Sequence, residues 1–130
     1  MTAKRVLITG TSGLIAGGVY RRLRAMPDQY DVYALSRRRQ ASERSGEEAS
    51  PEIPDDRFFL ADMSNLDEVT KAFGGMDVVV HLAADPRPDA TWDHLLASNI
   101  IGARNAFEAA VRTGVKRVIY ASSIMVSWGY

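Results

Sequence analysis

The chain has 130 residues, 46% of them hydrophobic and 25% charged, the make-up of a soluble globular domain with room for one core. Sixteen Lys and Arg balance sixteen Asp and Glu, which argues against a nucleic-acid or membrane-surface partner, since those favour a basic excess. There is no cysteine, so disulfide scaffolds, Cys-type zinc sites, iron–sulfur clusters and Cys nucleophiles are excluded. No apolar run is long enough to span a bilayer and the N-terminal apolar stretch is too short for a secretory signal, so the expected location is the cytoplasm.

Apolar patterning switches between strand and helix periods along the chain. Val6-Leu7-Ile8 reads as a buried strand. Gly13 to Met26 reads as a helix with Ile15, Val19, Leu23 and Met26 inward, stopped by Pro27. Val32 to Leu35 is a second strand. Arg37 to Arg57 is rich in Ser, Glu, Arg and Pro, and reads as a solvated loop. Phe58-Phe59-Leu60 is a third strand. Ser64 opens a helix with Asp67 in a capping-box position and Gly74-Gly75 at its end. Val78 to Leu82 is a fourth strand. A long helix follows from about Ala90 to Thr113, with the stripe Trp92, Leu96, Asn99, Ala103, Phe107 and Ala110, and Gly114 after it. Val118 to Ala121 is a fifth strand.

The strands are continuous apolar runs rather than alternating ones, the mark of a parallel sheet covered on both faces by helices. The expected fold is α/β, a Rossmann-like doubly wound sheet with strand order 3-2-1-4-5.

The segment TGTSGLIAGG, Thr9 to Gly18, lies between the first strand and the first helix. A diphosphate needs close backbone approach, free N–H groups and a helix N-terminus aimed at it. Gly10 permits the sharp turn and Gly13 leaves the phosphate seat without a Cβ. Thr11, Ser12, Leu14 and Ile15 complete the seat, and Ala16 is the small residue for helix–strand packing. Dinucleotide binding is the expectation; a tight ligand-free turn is the bland alternative. Ser36, not a carboxylate, closes the second strand, and Arg37, Arg38 and Arg39 follow. A carboxylate there would repel a 2′-phosphate, whereas serine with guanidiniums binds one through charge-assisted hydrogen bonds. NADP is therefore favoured over NAD, with Arg37 and Arg38 as the candidate contacts. Asp31 lies at the wrong end of its strand to substitute. The two histidines, His81 and His94, lack metal-ligand spacing, so no metal site is expected.

TGTSGLIAG, Asp62, HLAA (His81–Ala84), ASNIIGARNAFEAA (Ala97–Ala110) and VIYASS (Val118–Ser123) together resemble the extended short-chain dehydrogenase/reductase family, the NAD(P)-dependent epimerases, dehydratases and reductases. The likeness runs over nearly the whole chain. The HLAA, NIIG and ASS segments are also similar to a uronate-dehydrogenase-like branch, although that branch's acidic second-strand end is missing. The resemblance implies that Asp62 bonds the adenine amino group with the Met63 backbone beside it. It implies that Leu82, Ala83 and Ala84 line the cofactor crevice and that Asn99 braces the loops around the nicotinamide ribose. It implies that Ser123 hydrogen-bonds the reacting oxygen of a small-molecule substrate. The residues alone equally allow Asp62 to open a helix, Asn99 to bond neighbouring backbone, and Ser122 and Ser123 to finish a strand. His81 reads as a packed strand residue, not a base.

The family's chemistry also implies a Tyr-x-x-x-Lys pair, the Tyr as acid/base with its pKa lowered by the Lys. Tyr120 is followed four residues later by Ile124, and Tyr130 is the last residue. The chain therefore reads as the cofactor half of a longer enzyme, cut before its catalytic helix and inactive alone. It would expose an apolar edge and helix face that favour association, a homo-oligomer included. The reading from another class is a non-catalytic NADP-binding redox sensor.

Overall fold

The computed structural model describes residues 2–39 and 51–128. The five apolar runs form β1 (Lys4–Thr9), β2 (Tyr30–Ser36), β3 (Phe58–Leu60), β4 (Val78–His81) and β5 (Arg117–Tyr120). They make one parallel sheet in the expected order β3-β2-β1-β4-β5. Parallel pairing brings all five carboxyl ends to one rim. The chain winds outward from β1 to β3, then returns to lay β4 on the other flank of β1. The crevice between the carboxyl ends of β1 and β4 is thus the switch point, where ligands settle in such sheets.

Helix α1 (Leu14–Arg24) covers one face, burying Ala16 and Tyr20 against Val6, Ile8, Val32 and Ala34. Helices α2 (Leu66–Phe73) and α4 (Gly102–Thr113) cover the other, where Leu7, Tyr33, Leu35 and Val79 meet Val69, Phe73, Ala106 and Ala109. Neighbours on β1 serve opposite faces, as the pleat requires, and both faces are dry. That is why the strands carry apolar residues without a break.

Several local expectations are corrected. The inward face of α1 is Ala16, Gly17 and Tyr20, with Val19 and Leu23 of the expected stripe packed half-buried on the same cluster, whereas Ile15 is 72% exposed. The helix stops at Arg24, short of Met26. The cap of α2 is Asn65, whose side chain accepts from Glu68 N at 3.2 Å; Ser64 instead donates to Asp62, so the Ser64–Asp67 box does not form.

The long helix is also not uniform. A short α3 (Trp92–Leu95) runs into a wide π-helical stretch, Leu96–Ile101, before α4. A 3.6-residue period from Asn99 passes Gly102 and Ala103, Ala106 and Ala110, so Ala110 of the expected stripe is kept and Phe107, eight residues on, falls off it. Gly102, Asn105, Ala106, Ala109 and Ala110 are buried while Phe107 and Trp92 are exposed. Gly114 ends α4 in the left-handed region at φ 73°, as expected. Phe107 and Val111 of α4 and Ile119 and Tyr120 of β5 stand exposed, the apolar edge and helix face expected of this flank.

Of the stretch Arg37–Arg57, residues 40–50 lie outside the described residues. Residues 51–57 are fastened in part: Pro51, Ile53 and Arg57 are half-buried, while Glu52, Pro54, Asp55 and Asp56 are exposed as expected. Ile53 packs with the α1 face, Arg24 donates to the Glu52 carbonyl, and Arg57 pairs with Asp31 at 2.8 Å. That pairing occupies Asp31 at the amino end of β2, away from the rim.

Candidate functional site

The chain leaves β1 through Gly10, at φ +79° in the left-handed region that a side chain strains to enter. A Cβ there would fall 2.8 Å from Ala83 Cα and 2.9 Å from Ala83 N. The β1 turn and the backbone beyond β4 thus touch across the switch point. Gly13 caps α1 with extended backbone and makes no side-chain cap. A Cβ on Gly13 would meet only the Gly10 carbonyl, at 3.2 Å; the space beyond is open. The first turn of α1, led by the exposed Leu14 and Ile15, holds no acidic residue. Thr11 Oγ1 is buried without a hydrogen-bond partner. An uncapped helix start without carboxylates, facing open space, suits an anion, and the diphosphate of a dinucleotide fits it.

Thr9 organises the far side of the crevice. Its hydroxyl accepts from Leu82 N at 3.0 Å and Ala83 N at 3.1 Å, which fills both lone pairs. Its own proton therefore goes to His81 Nδ1, 2.8 Å away, leaving the ring neutral with its hydrogen on Nε2. His81 is 2% exposed, and burial pushes its pKa down to about 4. These bonds draw the backbone out of the ladder, so β4 ends at His81, one residue before the sequence places its end. His81 packs within the sheet, as expected.

At the end of β2, buried Ser36 donates to the Ser12 hydroxyl at 3.0 Å, joining the glycine turn to the strand where a ribose edge would lie. Arg37 and Arg38 are exposed beside it. Arg39 is engaged elsewhere, paired with Asp55 at 2.7 Å and stacked over Phe58. Asp62 Oδ1 accepts from Ser64 N and Oγ at 2.9 and 2.8 Å. Those bonds, with Arg37 nearby, hold its pKa below the usual carboxylate value. Asp62 thus does shape the approach to α2 while standing exposed on the rim. Met63 is buried, and its carbonyl accepts from Asn105 Nδ2 at 2.8 Å.

Asn99, in the π-helical stretch, grips one residue from both sides. Its Oδ1 accepts from Asp85 N at 2.7 Å and its Nδ2 donates to the Asp85 carbonyl at 3.1 Å. This clamp anchors the loop that continues Leu82, Ala83 and Ala84 over the crevice. The Asp85 side chain is only 7% exposed, and hydrogen bonds from Arg87 hold its pKa at about 2. Ser123 is placed differently from the expectation. β5 ends at Tyr120, and Ser123 caps the 3-10 turn Ile124–Ser127 by accepting from Met125 N at 3.1 Å. It is exposed on the carboxyl-end rim with Ser122. Sequence reasoning passed over Thr9, Asp85 and Asn105. Thr9, a hydroxyl closing an apolar run just before Gly10, was the readable signal; the other two depend on tertiary partners.

A family model described as the NAD dependent epimerase/dehydratase family matches residues 6–127. The chain belongs to this family. An NAD-dependent glucose-6-phosphate dehydrogenase from Haloferax volcanii is 36% identical over 118 residues, covering 91% of this chain and 42% of that protein. An L-arabinose 1-dehydrogenase (NAD(P)(+)) from the same organism is 35% identical over 119 residues, covering 92% and 41%. Among solved structures, MoeE5 in complex with UDP-glucose and NAD superposes with a TM-score of 0.76 at 29% identity, over 97% of this chain and 38% of that one. A mutant uronate dehydrogenase from Agrobacterium tumefaciens complexed with NAD gives 0.70 at 27%, over 93% and 41%. This epimerase/dehydratase-family chain spans about two fifths of the length of the curated relatives it matches. Among the described residues, no helix is long and apolar enough to cross a membrane.

Proposed function

We propose that the chain is the dinucleotide-binding part of an NAD(P)-dependent enzyme of this family, acting on a sugar-like or other small alcohol or carbonyl substrate. The observation that carries the reading is Gly10, left-handed and pressed on the Ala83 backbone at the switch point, opening onto an uncapped helix N-terminus. The diphosphate would rest on the backbone of Thr11, Ser12, Gly13, Leu14 and Ile15. Asp62 and Met63 would flank the adenine, and Leu82, Ala83 and Ala84 the crevice wall, with Asn99 bracing it. The nicotinamide, when bound, supplies hydride acceptance or donation. Ser123, on the same rim, would orient the substrate oxygen. Relatives that are dehydrogenases favour catalysis over a sensing role.

Ser36, Arg37 and Arg38 favour NADP. Arg37 is the principal contact because Arg39 is already paired and Arg37 lies near Asp62. Calorimetric titration with NADP and NAD separately tests this. NADP should bind more tightly, and Arg37→Ala should weaken NADP by roughly tenfold or more, the worth of one charge-assisted hydrogen bond, while changing NAD little. Equal losses for the two, or tighter NAD binding, would overturn the choice.

A further inference from the structure

We propose that Thr9 and His81 form a proton-sensitive latch on the cofactor rim, in which the neutral ring holds the Leu82–Ala83 backbone against the Gly10 turn and protonation releases it. The Thr9 hydroxyl has one proton and two lone pairs. Leu82 N and Ala83 N take the lone pairs, and His81 Nδ1 takes the proton. A doubly protonated imidazole has only donors, so turning the ring over offers no new acceptor. It presents a third N–H to a hydroxyl with no lone pair left and strands the hydroxyl proton. One partner must leave. The backbone N–H groups lie beyond the last ladder residue of β4, so they are the ones least tied down. Their departure moves Ala83 from beneath Gly10, which it now meets at van der Waals range.

The surroundings keep the ring neutral. Thr9 faces it from β1. Tyr120 of β5 stacks on it with centroids 5.8 Å apart, and Phe107 of α4 packs edge-on against Tyr120. Tyr120 is the ionisable group in that set, and the lowered proton affinity comes from burial. A freed ring returns to about 6.5. Between pH 7.5 and pH 5 the release should therefore become easier, by up to about 30-fold where the opening also returns the ring to water, from those two values and the linkage relation.

The consequence for cofactor rests on the proposed dinucleotide seat; the latch itself does not. Amide hydrogen exchange on the 130-residue chain tests it. The protection of Leu82 and Ala83, corrected for intrinsic rates, should fall several-fold, up to about 30-fold, from pH 7.5 to pH 5, by an opening insensitive to low urea. In His81→Gln, whose amide takes up no proton, that fall should flatten. On the unaltered chain, ring ¹⁵N shifts at pH 7.5 should report hydrogen on Nε2 and none on Nδ1. A hydrogen on Nδ1, constant protection, or loss only through urea-sensitive global opening would overturn the latch. Absence of NADP and NAD binding at pH 7.5 would instead remove the seat and leave the exchange result to judge the latch.

Discussion

A methyl group on Gly10 would collide with the Ala83 backbone, and one on Gly13 would meet, among the described residues, only the Gly10 carbonyl at 3.2 Å. The two glycines of one motif therefore do different work. Gly10→Ala should cost about 3 kcal/mol or more through left-handed strain and the clash, seen as a lower denaturation midpoint. Gly13→Val should lower the fold's midpoint less than Gly10→Ala, since only the Gly10 carbonyl must give and a valine caps poorly, while weakening dinucleotide binding roughly 10- to 100-fold, one or two lost charge-assisted hydrogen bonds. Equal damage to folding from both would contradict this division. Both glycines were legible because their spacing follows a strand and opens a helix. Thr9 and His81 were less so: the sequence shows a hydroxyl and an imidazole on separate runs, and only β1–β4 register places them side by side.

At the scale of elements, the strands were readable from apolar runs, and the buried face of α2 with Val69 and Phe73 followed its apolar spacing, but the faces of α1 and α4 were readable only in part. A stripe stepped four and four from Asn99 reaches Phe107, whereas the true 3.6-residue period falls at Ala106 and Ala110, which are buried; the wide Leu96–Ile101 turn was not readable either. No propensity marks such a turn. Its use is visible in the Asn99 clamp on Asp85. Asn99→Ala leaves that N–H and carbonyl without partners in a partly buried place. A stability loss of about 2 kcal/mol is expected, measured by chemical denaturation; a change within the noise would mean the loop stands without its clamp. The helix α1 error has a related cause: hydropathy ranks Ile15 above Ala16, while contact with the sheet ranks them the other way.

At the scale of the whole molecule, strand order and the position of the switch point follow from chain order and crossover handedness, which is why they were recoverable without coordinates. Acid stability was not, because it depends on burial. His81 binds its proton less readily when folded, about 4 against 6.5. Its contribution is complete above pH 6.5 and declines as pH falls toward 4, by about 3 kcal/mol in all. Asp85, held at about 2 against 3.8, adds a second decline as pH falls from 3.8 toward 2. Urea midpoints recorded from pH 7.5 downward should thus drop first through the histidine window. A flat profile between pH 6.5 and pH 4 would show that the imidazole is not buried neutral.

The central claim is that the Gly10–Ile15 bend receives a diphosphate. Amide chemical-shift mapping with ADP, which carries that group without the nicotinamide, addresses it most directly. The account predicts the largest shifts at the N–H groups of Thr11 to Ala16, with smaller ones at Ala83. Binding that leaves those amides unmoved and perturbs another surface would contradict it.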